Sequence, residues 1–412
     1  MLNINSNNND LHSKQTQKGH VVLLNLWRVI NAKGGTEKVF CNMANALSRL
    51  GYRVTAICHD DHIGLPSFPI ENINFINAFK PHNTFISKTL IKFRSLHIHS
   101  QIRKNKRNLL ISKEKCDNII NSISNWDQVD LIIAFQPEAA YFVRDLMHLD
   151  IPLVTMYHST PETFDKKTDF DERNKNSASK SNVVQVLMPE YIKIARRMHP
   201  HTPIICIPNT APQYESPSKL TSHTIINIAR LSNEKRPDLF VKSFALLKDR
   251  YPDWKCEWWG EYHLNPTLKR HIQDLIHKFH LEDRFLLKGQ TDDVESKLRE
   301  SSIFAFPSSY EGQSLAMLEA MSMGLPVVGC LDCPSVNTLI RDRDNGLLTH
   351  PTPESYSLAL AKLMDNEKLR YQLGTKARED MKEYSPECIW KKWDNLIQSL
   401  INYPKISEIR SV

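Results

Sequence analysis

Residues Ser302–Met321 read SIFAFPSSYEGQSLAMLEAM, and their pattern decides the architecture. Ser302–Phe306 is an apolar run too short for a core helix, so it reads as a buried strand that ends at Pro307. A polar turn with a glycine follows, and a helix begins near Ser314. A strand that feeds a turn and then a helix is the repeating unit of a parallel sheet covered on both faces. The same alternation extends outward in both directions. Val21–Trp27, Val54–Cys58, Leu131–Phe135, Leu153–Tyr157, Val183–Met188 and Ile204–Ile207 read as strands before it. Thr224–Ala229, Trp254–Trp259, Phe285–Lys288, Pro326–Gly329 and Gly346–Thr349 complete the second series. Amphipathic helices fill the gaps, one with Val39, Phe40, Met43, Ala44 and Leu47 at helical spacing, and one running from about Pro353 to Met381.

A chain of 412 residues exceeds one ordinary core, and the strand series falls into two groups. The expected division is a polar, Asn-rich leader over 1–19, a first parallel-sheet domain over 20–211, a linker at 212–222, a second domain over 223–385 and a C-terminal helix over 386–412. That helix holds Trp390, Trp393, Leu396 and Ile397 and is expected to pack back on the first domain. The leader lacks the apolar core of a signal peptide, and no apolar stretch reaches the roughly 18 residues of a membrane span. With 41% hydrophobic and 24% charged residues, the composition is that of a globular protein, expected to be cytoplasmic. The eight cysteines show no framework spacing, and most lie in apolar segments as free thiols would. Cys330 and Cys333 form a C-x-x-C, but no second ligand pair accompanies them, so a structural role is expected.

Three segments at strand ends carry chemistry. The first is Asn31-Ala32-Lys33-Gly34-Gly35-Thr36-Glu37, where two glycines admit a ligand close to the backbone and a helix start near Lys38 offers free N–H groups. The second, Arg230-Leu231-Ser232-Asn233-Glu234-Lys235-Arg236-Pro237, puts two cations beside a helix start, an arrangement that suits a diphosphate. The third is the opening stretch. Glu311 precedes its helix, Glu319 lies on it, and the amides from Gly312 through Gln313 and Ser314 to Leu315 would point into a cleft at the positive end of the helix dipole. Glu319 lies among Leu315, Ala316, Met317, Leu318, Ala320 and Met321, where a carboxylate needs a hydrogen-bonding partner that ligand hydroxyls would supply.

Glu311 and Glu319 form an E-x7-E motif, and together with Gly34-Gly35-Thr36-Glu37 and the Arg230…Lys235 pair they resemble the retaining glycosyltransferases of family 4. The resemblance runs from about Val21 to the end, weakest between Asn74 and Asp127. It implies a GT-B architecture, two Rossmann-like parallel-sheet domains facing each other across a cleft. By the same resemblance Gly34 and Gly35 line the donor site, Arg230 and Lys235 hold the donor diphosphate, Glu311, Gly312, Gln313, Ser314 and Leu315 meet the transferred sugar and phosphate, and Glu319 binds the ribose hydroxyls. His158 matches the domain-one histidine that faces the donor sugar, and is grouped with Glu311, Arg230 and Lys235 as catalytic. Asn209 and Thr210 are placed at the cleft wall. Gln313 departs from the pattern, which often has an aromatic residue there, and the turn at Gly260-Glu261-Tyr262 is a reduced form of a glycine-rich one.

The implied reaction moves a sugar from a UDP- or GDP-linked donor to a glycan or polyprenyl-diphosphate-linked acceptor, in the setting of bacterial surface polysaccharide, including lipopolysaccharide. A sugar-nucleotide epimerase of the same architecture and a catalytically silent binding homologue are the alternatives. No cofactor and no metal are expected: Asp292-Asp293 is adjacent rather than spaced, reads as a helix cap, and the cations can neutralise the departing diphosphate. Residues 80–115 hold ten Lys or Arg against one acidic residue, Glu114, with apolar residues interleaved. Such a stretch fits an anionic membrane surface, at the inner face of the plasma membrane, and no nucleic-acid motif accompanies it.

Overall fold

The computed structural model describes residues 18–80, 113–165, 168–262 and 265–403. Two fully parallel sheets organise them. The first contains β1 (His20–Asn25), β2 (Arg53–Cys58), β3 (Asn74–Asn77), β4 (Leu131–Ala134), β5 (Leu153–Met156), β6 (Val183–Val186) and β7 (Ile204–Cys206), in the order β3-β2-β1-β4-β5-β6-β7. The second contains β8 (Thr224–Ile228), β9 (Lys255–Trp259), β10 (Phe285–Gly289), β11 (Ile303–Phe306), β12 (Val327–Cys330) and β13 (Gly346–Thr349), in the order β10-β9-β8-β11-β12-β13. Strands β1, β4, β5, β6, β11 and β12 are buried along their whole length, because helices cover both faces. These are two doubly wound α/β domains with one architecture.

Two expectations need correcting. The sequence reading found six strands in domain one, and the seventh, β3, lies at the sheet edge, paired with β2 alone and mostly half-exposed. The helix expected over Pro353–Met381 is two helices, Pro353–Asp365 and Glu367–Asp380. Asn366 breaks it: its backbone is extended, and its side chain accepts a hydrogen bond from Leu369 N at 2.9 Å, capping the second helix.

The crossover between domains runs against the far end of the chain. Ala211 N donates to Tyr384 O at 2.7 Å, and Gln213 Nε2 donates to Met381 O at 3.1 Å. Beyond it, the helix Pro386–Asn402 buries Ile389, Trp393, Leu396, Ile397 and Leu400 in the cluster that holds Val21, Leu23, Phe40 and Ile133 of domain one. Asp394 on that helix accepts from Lys18 Nζ at 2.8 Å and Tyr52 Oη at 2.6 Å. Lys18 N also donates to Gly51 O at 3.1 Å, so the last two residues of the leader expected over 1–19 lie against domain one. The rest of that leader, 1–17, lies outside the described residues, as does 81–112 of the basic segment. Lys115, at the described end of that segment, is turned inward: its ammonium donates to Leu26 O at 3.2 Å, and burial lowers its pKa. Among the described residues no helix is long and apolar enough to cross a membrane.

Candidate active site

In each sheet the strand order reverses beside the first strand of that domain, between β1 and β4 and between β8 and β11. Ligands of doubly wound sheets bind beyond the carboxyl ends of the strands at such a switch point. The three chemistry-bearing segments of the sequence are the loops that leave β1, β8 and β11. Sheet topology therefore brings together residues that the sequence separates by up to three hundred positions.

In domain two, Ser309 N donates to Glu234 O at 2.8 Å and ties the loop after β11 to the loop after β8. Lys235 and Glu311 form an ion pair whose side chains are only 14% and 11% exposed. Two charges at that depth persist because each satisfies the other. Arg230 stands exposed at the end of β8. Gly260, with φ +147°, lies so close to that strand end that a Cβ would come 2.1 Å from Ala229 O, so no other residue fits there. Arg236 adopts the left-handed conformation (φ 48°) and forks onto Asp332 at 2.8 and 2.5 Å, which fixes the helix start that follows Lys235. The helix Leu315–Ser322 is capped by Ser314, whose side chain accepts from Met317 N at 3.3 Å.

The cleft is bridged at several points. A Cβ on Gly312 would lie 2.2 Å from His158 O and 2.9 Å from Ser159 Cα, so the loop after β11 touches the end of β5 backbone to backbone. Tyr191 Oη donates to Glu311 O at 2.8 Å and to Gly312 O at 3.0 Å. Asn209 N donates to Gln313 Oε1 at 2.6 Å, so the Gln313 side chain is used to join the domains. Lys33 pairs with Asp292 at 2.5 Å, and Lys38 Nζ pairs with Glu319 Oε1 at 2.5 Å. Gly35, at the start of the Gly35–Arg49 helix, faces Leu315: a Cβ there would sit 3.6 Å from Leu315 Cδ1. At Gly34 a Cβ would meet the Glu37 carboxylate, which folds back over the helix start. Burial raises the Glu37 pKa, and the nearby Arg230 opposes that shift.

His158 stacks on Phe135 with ring centroids 5.0 Å apart, and its Nε2 is buried with no hydrogen-bond partner among the described residues. Burial lowers its pKa to about 4, so the ring is neutral near pH 7. A neutral imidazole with an unsatisfied nitrogen at a domain seam can accept or donate one hydrogen bond to an incoming hydroxyl. It cannot serve there as a resident cation.

Asn209 and Thr210 line an interdomain cavity of about 290 Å³, shared with Lys38, Gln185, Glu319 and Trp390. Of the expected donor residues only Leu315 and Glu319 border it. Sequence reasoning missed Lys38 and Tyr191. Lys38 had one signal, its place in the first helical turn after the glycine pair. Tyr191 had none.

Among the described residues one group could offer three ligand atoms to a metal: Asp60, Asp61 and His62, within 4.8 Å of one another. Those atoms are already engaged. Asp60 Oδ2 accepts from Val29 N at 2.7 Å and Ile30 N at 2.6 Å, and Oδ1 accepts from His62 N at 3.0 Å. Asp60 holds the turn after β1, and His62 Nδ1 is shared between Asp60 and Asp61. Asp293 caps the helix Val294–Arg299 through Ser296 N at 3.0 Å. Cys330 and Cys333 are buried, with pKa values pushed up to about 12 and about 11, the protonated form that binds metals poorly.

Comparison with known proteins agrees with this fold. A family model for glycosyltransferase family 4 matches residues 33–209, and one for group 1 glycosyl transferases matches residues 213–380. A Haemophilus influenzae protein described as an uncharacterized glycosyltransferase is 26% identical over 377 residues, covering 89% of this chain and 97% of that protein. A poly(ribitol-phosphate) alpha-N-acetylglucosaminyltransferase of Staphylococcus aureus is 31% identical over 193 residues, 46% of this chain and 38% of that protein. The solved structure of a S. aureus TarM mutant, in complex with fondaparinux, alpha-GlcNAc-glycerol and UDP, superposes with a TM-score of 0.72 at 18% identity, over 92% of this chain and 99% of that one.

Proposed function

The chain belongs to the family 4 glycosyltransferases of GT-B fold, and we propose that it transfers a hexosyl group from a UDP-linked donor to a hydroxyl of a glycan or lipid-linked saccharide, with retained configuration. The observation that carries this reading is the convergence of Arg230, the Lys235–Glu311 pair and the helix start at Leu315 on the switch point of domain two, against His158 of domain one. The UDP donor is supported by the nucleotide in the TarM complex, and a surface-polymer acceptor by the S. aureus relative's name.

Bond breaking places negative charge on the departing diphosphate. In this reading Arg230, Lys235 and the first amides of the Leu315–Ser322 helix face the place where that charge develops, and preorganised donors contribute most in such a geometry. A diphosphate arriving there competes with Glu311 for Lys235. The Glu311 carboxylate, released toward the sugar, then accepts from a hydroxyl, and neutral His158 offers its free nitrogen from the other side. Glu319 takes the ribose hydroxyls. The acceptor attacks from the face that UDP leaves and passes its hydroxyl proton to the departing diphosphate oxygen, so no glutamate acts as nucleophile, and no metal is needed in this scheme because two cations and a helix dipole already face the phosphates.

Purified protein screened against a panel of nucleotide sugars with EDTA present, beside Glu319→Ala and Lys235→Met, tests the reading. One donor hydrolysed or transferred by the wild type and lost in both variants is the expected outcome. A folded protein that binds no donor would return the chain to a scaffolding role. For residues 80–115 we propose peripheral contact with an anionic membrane or lipid-linked acceptor, on their charge alone. Flotation with anionic liposomes at low salt checks it, and protein left at the bottom of the gradient removes it.

A further inference from the structure

We propose that Lys38 is a positioning residue for the donor: from domain one it orients the Glu319 carboxylate of domain two, so that the ribose-binding group is complete only while the two domains are together. The inference rests on the assignment of Glu319 to the ribose and goes beyond it in naming the group that sets the carboxylate.

Glu319 lies on the helix Leu315–Ser322 with Leu318, Ala320 and Met321 fully buried around it, and its own side chain is 8% exposed. A carboxylate in such surroundings is costly unless a counter-charge reaches it. Among the described residues the ionic partner is Lys38 alone, Nζ to Oε1 at 2.5 Å, and Oε2 has no hydrogen-bond partner. The amine is itself about one-third exposed, so it reaches inward from a solvated position. Lys38 sits in the first turn of the Gly35–Arg49 helix, whose Gly35 packs against Leu315 one turn before Glu319. The two helix starts thus meet, Leu315 packing against the cluster that holds Val39 and Met43, and the ion pair joins the same two helices. With Oε1 held by Lys38, Oε2 is directed and free to accept from a sugar hydroxyl. If the domains part, Glu319 loses its counter-ion and the orientation of Oε2. The opposite role, in which Lys38 occupies the place the ribose would take, predicts the opposite response to its removal.

Calorimetric titration of wild type, Lys38→Met and Lys38→Arg with UDP and with 2′,3′-dideoxyuridine diphosphate separates these cases. A charge-assisted hydrogen bond lost or misdirected corresponds to an affinity loss on the order of tenfold. Lys38→Met should lose about that factor for UDP and less than about twofold for the dideoxy nucleotide, which has no hydroxyl for Glu319 to accept from. Lys38→Arg should recover most of the loss, because it restores the counter-charge. The three thermal transitions check that the variants are folded, and the Arg variant keeps the test open should the Met variant unfold. UDP affinity unchanged or improved in Lys38→Met, or an equal loss for both nucleotides, overturns the positioning role. A folded wild type that binds neither UDP nor GDP removes the donor reading itself, and the role of Lys38 with it.

Discussion

Replacing Gly312 by Ala inserts one methyl into the seam between the domains. The new Cβ would fall 2.2 Å from His158 O and 2.9 Å from Ser159 Cα, both of them main-chain atoms that no rotamer change can move. A carbon and a carbonyl oxygen rest at about 3.3 Å, so the loop must retreat by roughly 1 Å. That retreat is resisted, because Tyr191 Oη holds Glu311 O and Gly312 O at 2.8 and 3.0 Å, and Asn209 N holds Gln313 Oε1 at 2.6 Å. Forcing a methyl into such a contact costs about 1–3 kcal/mol of stability. The kinetic effect is of similar size in free energy, because a displacement of about 1 Å between reacting groups costs on the order of a hundredfold in rate, or about 2.7 kcal/mol. Arg230 and Lys235 belong to domain two, but the seam also carries the Lys38–Glu319 pair, so UDP affinity should fall by no more than about the tenfold expected for Lys38→Met while kcat falls by about a hundredfold. Steady-state transfer or donor hydrolysis, with calorimetry for UDP, reads both quantities. Gly34→Ala is the control: its Cβ would meet the movable Glu37 carboxylate rather than backbone, and only a few-fold change is expected. A Gly312→Ala enzyme with kcat within about threefold of wild type, and an unshifted thermal transition, would refute the backbone contact as the element that sets the seam.

Breaking the Lys235–Glu311 pair from either side strands a charge that is almost buried, so Lys235→Met and Glu311→Gln should each destabilise the fold by about 3 kcal/mol, and the double variant by less than the sum of the two, in denaturant titrations. Burial lowers the pKa of His59, His158 and His199 to about 4, below the usual 6.5, so between those values the unfolded chain binds more protons than the folded one. Stability therefore falls as pH drops from 6.5 toward 4 and is flat above about 7, and the melting temperature of His158→Gln should decline less steeply across that window. Trp393→Ala, which empties a buried site between the last helix and domain one, should cost about 3–5 kcal/mol in urea unfolding.

What could be read from the sequence follows from the range of the forces involved. Strands covered on both faces are apolar throughout, and twelve of the thirteen, the partly exposed edge strands β7 and β10 included, carry enough apolar residues to read as short hydrophobic runs. The thirteenth, Asn74–Asn77, has two apolar residues, lies at an edge, and is fixed by its ladder to β2 rather than by its own pattern. The break at Asn366 was hidden for a similar reason. Asp365-Asn366-Glu367-Lys368 is polar enough to sit on the outside of a continuous helix, and only the side-chain bond to Leu369 N shows that Asn366 starts a new one.

The site divides along the same line. The positions of Glu311, Arg230 and Lys235 were legible because each stands at a strand end or helix start that the local pattern locates, and that of Glu319 because a carboxylate one turn into an apolar helix stands out. The groups that act on them were not, because they come from the other domain. Tyr191 reaches Glu311 O across 120 positions, and Lys38 reaches Glu319 across 281. Gly312 shows the difference in a single residue. Its sequence context gives it a local purpose, an exposed amide before a helix, whereas its lack of a side chain answers to His158 O, 154 positions earlier. A motif confined to domain two can therefore specify where a donor would bind without specifying when the site is assembled. That second property is carried by pairs that span the cleft, and variants at Lys38, Tyr191 and Gly312 should alter it without any change of residue in the E-x7-E motif.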